Sequence, residues 1–293
     1  MAYLKIMESG VRYARQSIGP AGENMNGNAA NLIYFSPTAT TRKIVEAISR
    51  GIGAASNEHT NLTPHEPKER QTVELRGQLA IIGMPVYAGR LPAEAVSRFR
   101  KIKGNGAPAV IVVTYGNRAY EDALLELRNV ALESGFRPIA AGAFIGEHSF
   151  STDDDQIAYR RPDAEDLQDA GRFGQAIREK IKGLGSATEV PVLQVPGNYP
   201  YQDYRLPRNL APVSQEFCTR CESCFSVCPT GAIALKDNAV MTDASLCILC
   251  CACVKSCATG ARVLEDERIQ KLRTMLVTRF SQRKEPETYY AEL

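Results

Sequence analysis

Nine cysteines occur in the chain, and all fall between Cys218 and Cys257; the preceding 217 residues have none. Eight of them form two runs of one pattern, C-x2-C-x2-C-x3-C. The first run is Cys218, Cys221, Cys224 and Cys228; the second is Cys247, Cys250, Cys253 and Cys257. Each cysteine of the second run stands 29 residues beyond its counterpart, an internal duplication echoed by Thr230-Gly231-Ala232 and Thr259-Gly260-Ala261. Soft, charged thiolates at this density are ligands for iron–sulfur clusters, four per cubane. Three closely spaced cysteines wrap one cluster, and the last cysteine of the other run completes it. This assigns Cys218, Cys221, Cys224 and Cys257 to one [4Fe–4S] cluster, and Cys247, Cys250, Cys253 and Cys228 to the other. The first run ends in Cys228-Pro229, whereas the second has Ala258 in place of the proline. Two structural zinc sites, each ligated by four thiolates, are the competing reading. The triple spacing, the duplication and the Cys-Pro end tell against them. Cys251 falls outside the pattern and reads as a small, partly buried thiol. Two cubanes, at about −2 each when oxidised, would make the loaded protein more acidic than its formal charge of +2.

A second group of residues suits a phosphate. The apolar run ANLIYFS (30–36) leads directly into Ser36-Pro37-Thr38-Ala39-Thr40-Thr41-Arg42 and then a helical pattern. A hydroxyl-rich turn at a helix N-terminus offers free N–H groups and side-chain donors. Neither GxGxxG nor a G-K-[ST] loop follows this run, which favours a single phosphate over a dinucleotide or a triphosphate. The alternative is a Thr-rich cap with no ligand. Two further loops, MPVYAGR (84–90) and TYGNRAY (114–120), combine glycine with an aromatic residue. A flat ring system held between two loops requires close backbone approach and a stacking face. The candidates are Pro85, Val86, Tyr87, Ala88 and Gly89 on one side, and Thr114, Tyr115, Gly116, Asn117 and Tyr120 on the other. Each tyrosine taken singly serves equally well in a core or at a rim.

Other polar residues are weaker candidates. His148, in GEHSF, is placed to rim such a site or to lie at the surface. Arg42 and Arg90 either offset ligand charge or are ordinary surface arginines, and His59 and His65 read as solvent-facing. No Ser–His–Asp order, HExxH or paired-carboxylate pattern is present, so no residue is assigned a catalytic role.

These loops need elements to position them. Apolar runs at 30–36, 79–86, 108–115 and 137–146 predict strands; 42–50, 92–99, 121–135 and 163–184 predict helices. Continuous apolar strands alternating with helices argue a parallel sheet covered on both faces. In such sheets ligands bind at the carboxyl ends of the strands, where all three loops fall. The chain then divides into an N-terminal extension (1–28, with a short helix over Tyr3–Ser17), an open α/β domain (29–184), a proline-rich connector (185–213), a cysteine-dense domain (214–264), and a C-terminal helix and tail (265–293). The polar stretch 55–76 suggests a peripheral strand. The five prolines of the connector predict an extended strap. It is either a plain linker or a packed spacer that uses Tyr199, Tyr201 and Tyr204. The helix is expected over 265–280, with the last residues loose.

The cysteine-dense block, 214–264, resembles a bacterial-type ferredoxin domain with two [4Fe–4S] clusters, a module that carries single electrons at low potential. Residues 29–184 resemble flavodoxin, the FMN-binding electron carrier. Ser36, Thr38, Thr40 and Thr41 match that family's phosphate-loop hydroxyls, with Ala39 where its common glycine stands. Gly83–Arg90 and Thr114–Tyr120 match its two isoalloxazine loops. Flavodoxins often stack a tryptophan on the flavin; this chain has no Trp, so a tyrosine or an aliphatic residue must serve. The whole arrangement resembles the fused flavodoxin–ferredoxin proteins of anaerobic bacteria and archaea, including the EFR1-type family. That resemblance implies an α/β, flavodoxin-like doubly wound parallel sheet, a small α+β 2[4Fe–4S] ferredoxin-like domain, and FMN with two [4Fe–4S] clusters as cofactors.

Composition narrows the function classes. The length, 293 residues, suits two domains. Near-balanced charge argues against a nucleic-acid partner. No apolar run approaches the length of a membrane span, and the N-terminal residues break their apolar character too early for a signal peptide. Cysteines confined to one block point to a reducing, cytoplasmic setting. The leading expectation is a relay of electrons between FMN, two clusters and external redox proteins or a low-potential donor. The alternatives are an FMN-dependent oxidoreductase reducing a small organic acceptor or quinone, with a pocket near 146–162, and a metal-stabilised binding module without redox function. The cofactors either meet within one chain or are brought together in a homodimer.

Overall fold

The computed structural model describes residues 16–17, 29–65, 73–75, 78–182, 189–207 and 209–292. The helix expected over Tyr3–Ser17 lies outside them except for its last two residues, and these form a short antiparallel ladder with 189–190.

Five parallel strands make the main sheet: β1 (Ala29–Tyr34), β2 (Ser56–Asn61), β3 (Leu79–Pro85), β4 (Pro108–Tyr115) and β5 (Arg137–Ile145). Their order is β2-β1-β3-β4-β5. Central strands are apolar throughout because both faces are covered. Edge strand β2, SNEHTN, is largely exposed, which is why hydropathy left it ambiguous. Between the strands run α1 (Thr40–Ile52), α2 (Ala93–Phe99), α3 (Ala123–Glu133) and α4 (Ala164–Lys182). Period-two alternation sorts the core. Leu32, Ile81, Val110 and Val112 face α1 and α4, while Ile33, Ile82, Met84, Ile111 and Val113 face α2 and α3.

The cysteine region is built of small repeated pieces. Strand β6 (Val213–Ser214) pairs antiparallel with β9 (Arg262–Val263), and β7 (Ile233–Lys236) forms a hairpin with β8 (Ala239–Thr242). The hairpin turns on Asp237 and Asn238, both at positive φ, as a twist-matched two-residue turn requires. Two single-turn helices, α5 (Ser223–Ser226) and α6 (Ala252–Lys255), occupy equivalent places in the two halves. Helix α7 (Glu267–Arg279) follows, where the sequence predicts one.

The tail is not loose. Residues Glu287–Tyr290 form β10, which pairs antiparallel with β5 and extends the sheet to six strands. Thr288, Tyr289 and Tyr290 are good strand formers, too few to register as an element in the sequence. Tertiary contacts hold the strand. Tyr290 packs on Phe173 at 5.6 Å between ring centroids, and Arg283 pairs with Asp163 at 2.8 Å. The connector is packed as well. Asp122 accepts from the backbone N–H groups of Asn198 (2.8 Å) and Gln202 (2.7 Å), and Asn129 donates to the Tyr201 hydroxyl at 2.6 Å.

Candidate functional site

The first loop closes tightly after β1, with Ala39 N donating to Ser36 O at 3.2 Å. Ala39 sits at φ 62°, in the left-handed region, and provides no side-chain cap to α1. A residue with a Cβ is strained there, so this is where glycine would fit. Two of the predicted hydroxyls serve the loop itself. Ser36 Oγ accepts from Arg42 N at 3.0 Å, and Thr41 Oγ1 lies 2.5 Å from Thr114 Oγ1, a buried tie between the first and third loops. Thr38 and Thr40 make only a long contact with each other, at 3.5 Å. Together with the N-terminus of α1 they form the donor-rich end of the site.

The second loop is a two-residue turn. Tyr87 N donates to Arg90 O at 2.9 Å and Arg90 N to Tyr87 O at 3.1 Å, with Ala88 and Gly89 both at positive φ. Any side chain at Gly89 would collide with Glu121 and Gln202. Arg90 is not free for a ligand: it pairs with Glu126 through two 2.8 Å contacts, donates to Gln202 O, and lies over the Tyr201 ring at 4.6 Å. Arg42 pairs with Glu46 at 2.7 Å.

Between the loops lies a cavity of about 410 Å³, within the range of small-ligand sites. Of the predicted residues, Thr38, Thr40, Thr41, Pro85, Val86, Tyr87, Ala88, Gly89, Thr114, Tyr115 and Gly116 line it. Ser36 and Ala39 shape the loop behind it. Asn117 and Tyr120 are placed elsewhere. Asn117 Nδ2 donates to Phe280 O (2.6 Å) and Gln282 O (2.8 Å), and the Tyr120 hydroxyl meets Glu287 (2.8 Å) and Tyr289 (2.9 Å). Both therefore anchor the C-terminal segment.

More of the wall comes from the loop beyond β5, where the sequence offers His148 as a rim residue, and from segments that no local motif signals. His148 and Phe150 contribute from beyond β5, Leu206 and Pro207 from the connector, Leu272, Met275 and Leu276 from α7, and Ile248 and Leu249 from between Cys247 and Cys250. His148 Nδ1 accepts from Phe150 N at 3.0 Å. Burial first, then the nearby cations Lys255, Arg118 and Arg273, lower its pKa to about 4, so the ring is neutral at physiological pH. Tyr87, raised well above the ordinary phenol value by burial, bonds Ser149 and lies near Cys250 and Cys251. It stands between the cavity and the second cysteine run.

The two cysteine runs repeat each other in backbone as well as in spacing. Arg220 and Glu222 flank Cys221 at φ 58° and 61°; Leu249 and Cys251 flank Cys250 at φ 56° for both. Left-handed conformations at non-glycine residues are costly and persist only where the surroundings demand them. Here they bend the chain around each middle cysteine. The hydroxyls repeat too, with Thr230 Oγ1 at 3.6 Å from Cys228 Sγ and Thr259 Oγ1 at 3.5 Å from Cys257 Sγ. Ala232 N donates to Cys228 Sγ at 3.3 Å. Cys228, although in the first run, is an electrostatic neighbour of Cys247, Cys250 and Cys253. Burial pushes the Cys247 thiol up to about 11. Such thiols ionise in place only when a bound cation compensates. Cys251 instead points into an apolar cluster with Phe150, Leu210, Leu264 and Ile269.

Among the described residues, no three His, Cys, Asp or Glu side chains converge to hold a single metal ion. A cubane takes four thiolates spread around it, each on its own iron. The repeated left-handed bends, the thiol-directed donors and the nearness of Cys228 to the second-run thiols fit such a group.

Comparison with known proteins addresses the two parts separately. The profile of the 4Fe-4S binding domain, Fer4, matches residues 211–234, which contain the first cysteine run. No curated protein matches the chain significantly. Among solved structures, a flavodoxin from the domain Archaea is similar at 17% identity and TM-score 0.34, over 53% of this chain and 99% of that one. The flavodoxin of Fusobacterium nucleatum bound to flavin mononucleotide is similar at 16% identity and TM-score 0.35, over 52% of this chain and 98% of its own. An NADH:FMN oxidoreductase, EmoB, in its apo form is similar at 15% identity and TM-score 0.39, over 54% and 92%. The strand order 2-1-3-4-5 with helices on both faces is the flavodoxin-like arrangement of the doubly wound fold. The chain thus joins an α/β unit of flavodoxin-like fold to a small Fer4-type region.

Proposed function

We propose that this protein is an electron relay that carries FMN and two [4Fe–4S] clusters in one chain. The observation that carries the reading is the shared wall: Ile248 and Leu249, between two cysteines of the second run, line the cavity built by the three sheet loops. The cavity opens at the switch point between β1 and β3, where this strand order binds its ligands. Thr38, Thr40 and the N-terminus of α1 would hold the phosphate. The loops at 85–89 and 114–116 would flank the ring, with Tyr87 or Tyr115 as the aromatic face. Cys247, Cys250, Cys253 and Cys228 would hold the cluster beside the cavity; Cys218, Cys221, Cys224 and Cys257 would hold the outer one. When bound, FMN supplies a two-electron store that discharges singly, and each cubane supplies a one-electron carrier.

This chain's own residues fix the geometry between them. Lys255 of α6 forms an ion pair with Glu147, Arg273 of α7 donates to Phe150 O at 2.9 Å, and Arg98 of α2 donates to Pro229 O. These contacts tie the cysteine region and α7 to the α/β unit. Leu206, Pro207, Leu272, Met275 and Leu276 add apolar groups to the cavity wall. Cys221 is exposed, as is Phe217, so an external redox partner would meet the outer cluster. No helix among the described residues is long and apolar enough to cross a membrane.

Oxygen-free purification with iron, sulfide and flavin quantified tests this reading. The expected yield is about eight iron and eight sulfide per chain with about one FMN. Stoichiometric zinc in place of iron, or a fully assembled protein that binds no flavin, would end it.

A further inference from the structure

We propose that His148 is a positioning residue that donates a hydrogen bond from Nε2–H to the ring of the cavity's ligand; this rests on the reading of the cavity as an FMN site. The backbone sets the tautomer. Nδ1 accepts the Phe150 N–H at 3.0 Å, so in the neutral imidazole the proton resides on Nε2. The ring is held in place on two sides. Phe150 packs against it at 5.1 Å between centroids. Its Cδ2, bonded to Nε2, lies so close to Gly116 that any Cβ there would come within 2.3 Å. The imidazole therefore lies over the third sheet loop, one of the two that would flank the ring, and only glycine at 116 admits it.

Nε2 is not sealed in protein. The buried side-chain polar atoms without a partner among the described residues belong to Asn31, Asn117, Arg137 and Arg262. His148 lines the cavity, and its second nitrogen is not among the buried atoms that lack a partner. The charged groups around the ring come from every neighbouring segment: Arg118 from the third loop, Lys255 from α6, Arg273 from α7, and Glu147 from its own loop. Lys255 is paired with Glu147, and Arg118 with Glu121 at 2.7 Å. Burial, with these cations adding to it, disfavours protonation, so the donor is a neutral N–H and suits a carbonyl oxygen or an unprotonated ring nitrogen.

The test is titration of the cluster-loaded, flavin-free full chain with FMN, followed by flavin fluorescence, for wild type, His148→Gln and His148→Leu. Gln places an N–H near the position of Nε2; Leu retains bulk alone. The expected result is affinity about tenfold weaker for Leu and within about threefold of wild type for Gln. The ratio of wild-type to Leu affinity stays constant from pH 5 to 8, because both profiles contain the same phosphate ionisation. Equal affinity of the Leu variant, equal losses in Gln and Leu, or a ratio that follows an ionisation near 6.5 would overturn the role given to His148. Wild type that binds no FMN overturns the flavin reading, and the proposal with it. Thermal melting and the visible absorbance of the clusters check that each variant is folded, and the pH ratio is unaffected by a uniform loss of affinity.

Discussion

Ala39 shows how one residue can be right for the site and wrong for the backbone. It holds the turn from β1 into α1 at φ 62°, a conformation that costs an L-residue about 1–2 kcal/mol. Glycine removes that strain but adds about 0.5–1 kcal/mol of unfolded-state entropy. Ala39→Gly should therefore raise the unfolding free energy by about 0.5–1 kcal/mol, measured by denaturant titration, with FMN affinity undiminished. His148 makes a pH prediction at the same scale. Its folded pKa, about 4, lies below the unfolded value of about 6.5. Between these values the unfolded chain binds more protons, so stability is full above about pH 6.5 and falls as the pH drops toward 4. Asp163, held well below the usual carboxylate range chiefly by Arg283, loses its contribution only in stronger acid. Denaturation midpoints at pH 7 and 5 should thus differ less in His148→Leu than in wild type; an unchanged difference would refute the assignment.

Among the elements, the tightest contact is between α1 and α4. A Cβ on Gly51 would come within 2.0 Å of Gly171 O, and one on Gly174 within 2.2 Å of Ile48 O. These glycines let the two helices approach backbone to backbone. Gly174→Ala should cost about 2 kcal/mol or more of stability and weaken FMN binding by tilting α1; a variant as stable as wild type would disprove the close contact. Strand β10 is a second element whose role is set by its neighbours. It covers the backbone edge of β5, and removing residues 286–292 should lower the melting temperature and promote association through the bared edge, detectable by light scattering.

For the whole molecule, the decisive part of the proposal is cross-ligation. Cys228 lies near thiols of both runs: it shares an apolar cluster with Cys224 and Cys253 and is an electrostatic neighbour of Cys247 and Cys250. Cys228→Ala should reduce bound iron to about half. Adding Cys250→Ala should cost no further cluster, whereas adding Cys224→Ala should remove the other; the couplings differ because the first pair shares a cluster and the second does not. Iron lost in the opposite pattern would mean that each run binds its own cubane.

The cysteine periodicity, the hydroxyl-rich turn and the alternation of apolar runs with helices were legible in the chain by itself. Each is local: ligand spacing, turn chemistry and hydrophobic period all act within a few residues. From them come the flavodoxin-like sheet and most of the cavity-lining loop residues. Asn117 and Tyr120 could not be placed that way, because their partners, Phe280, Gln282, Glu287 and Tyr289, are more than 160 residues away. Nor could the paired tail or the ion pair that occupies Arg90. Whether the connector is slack or packed depends on carboxylates and amides of α3, such as Asp122 and Asn129. The meeting of the cysteine run with the cavity wall has the same origin. It depends on surfaces that become complementary only after both parts have folded, so no stretch of sequence carries it alone.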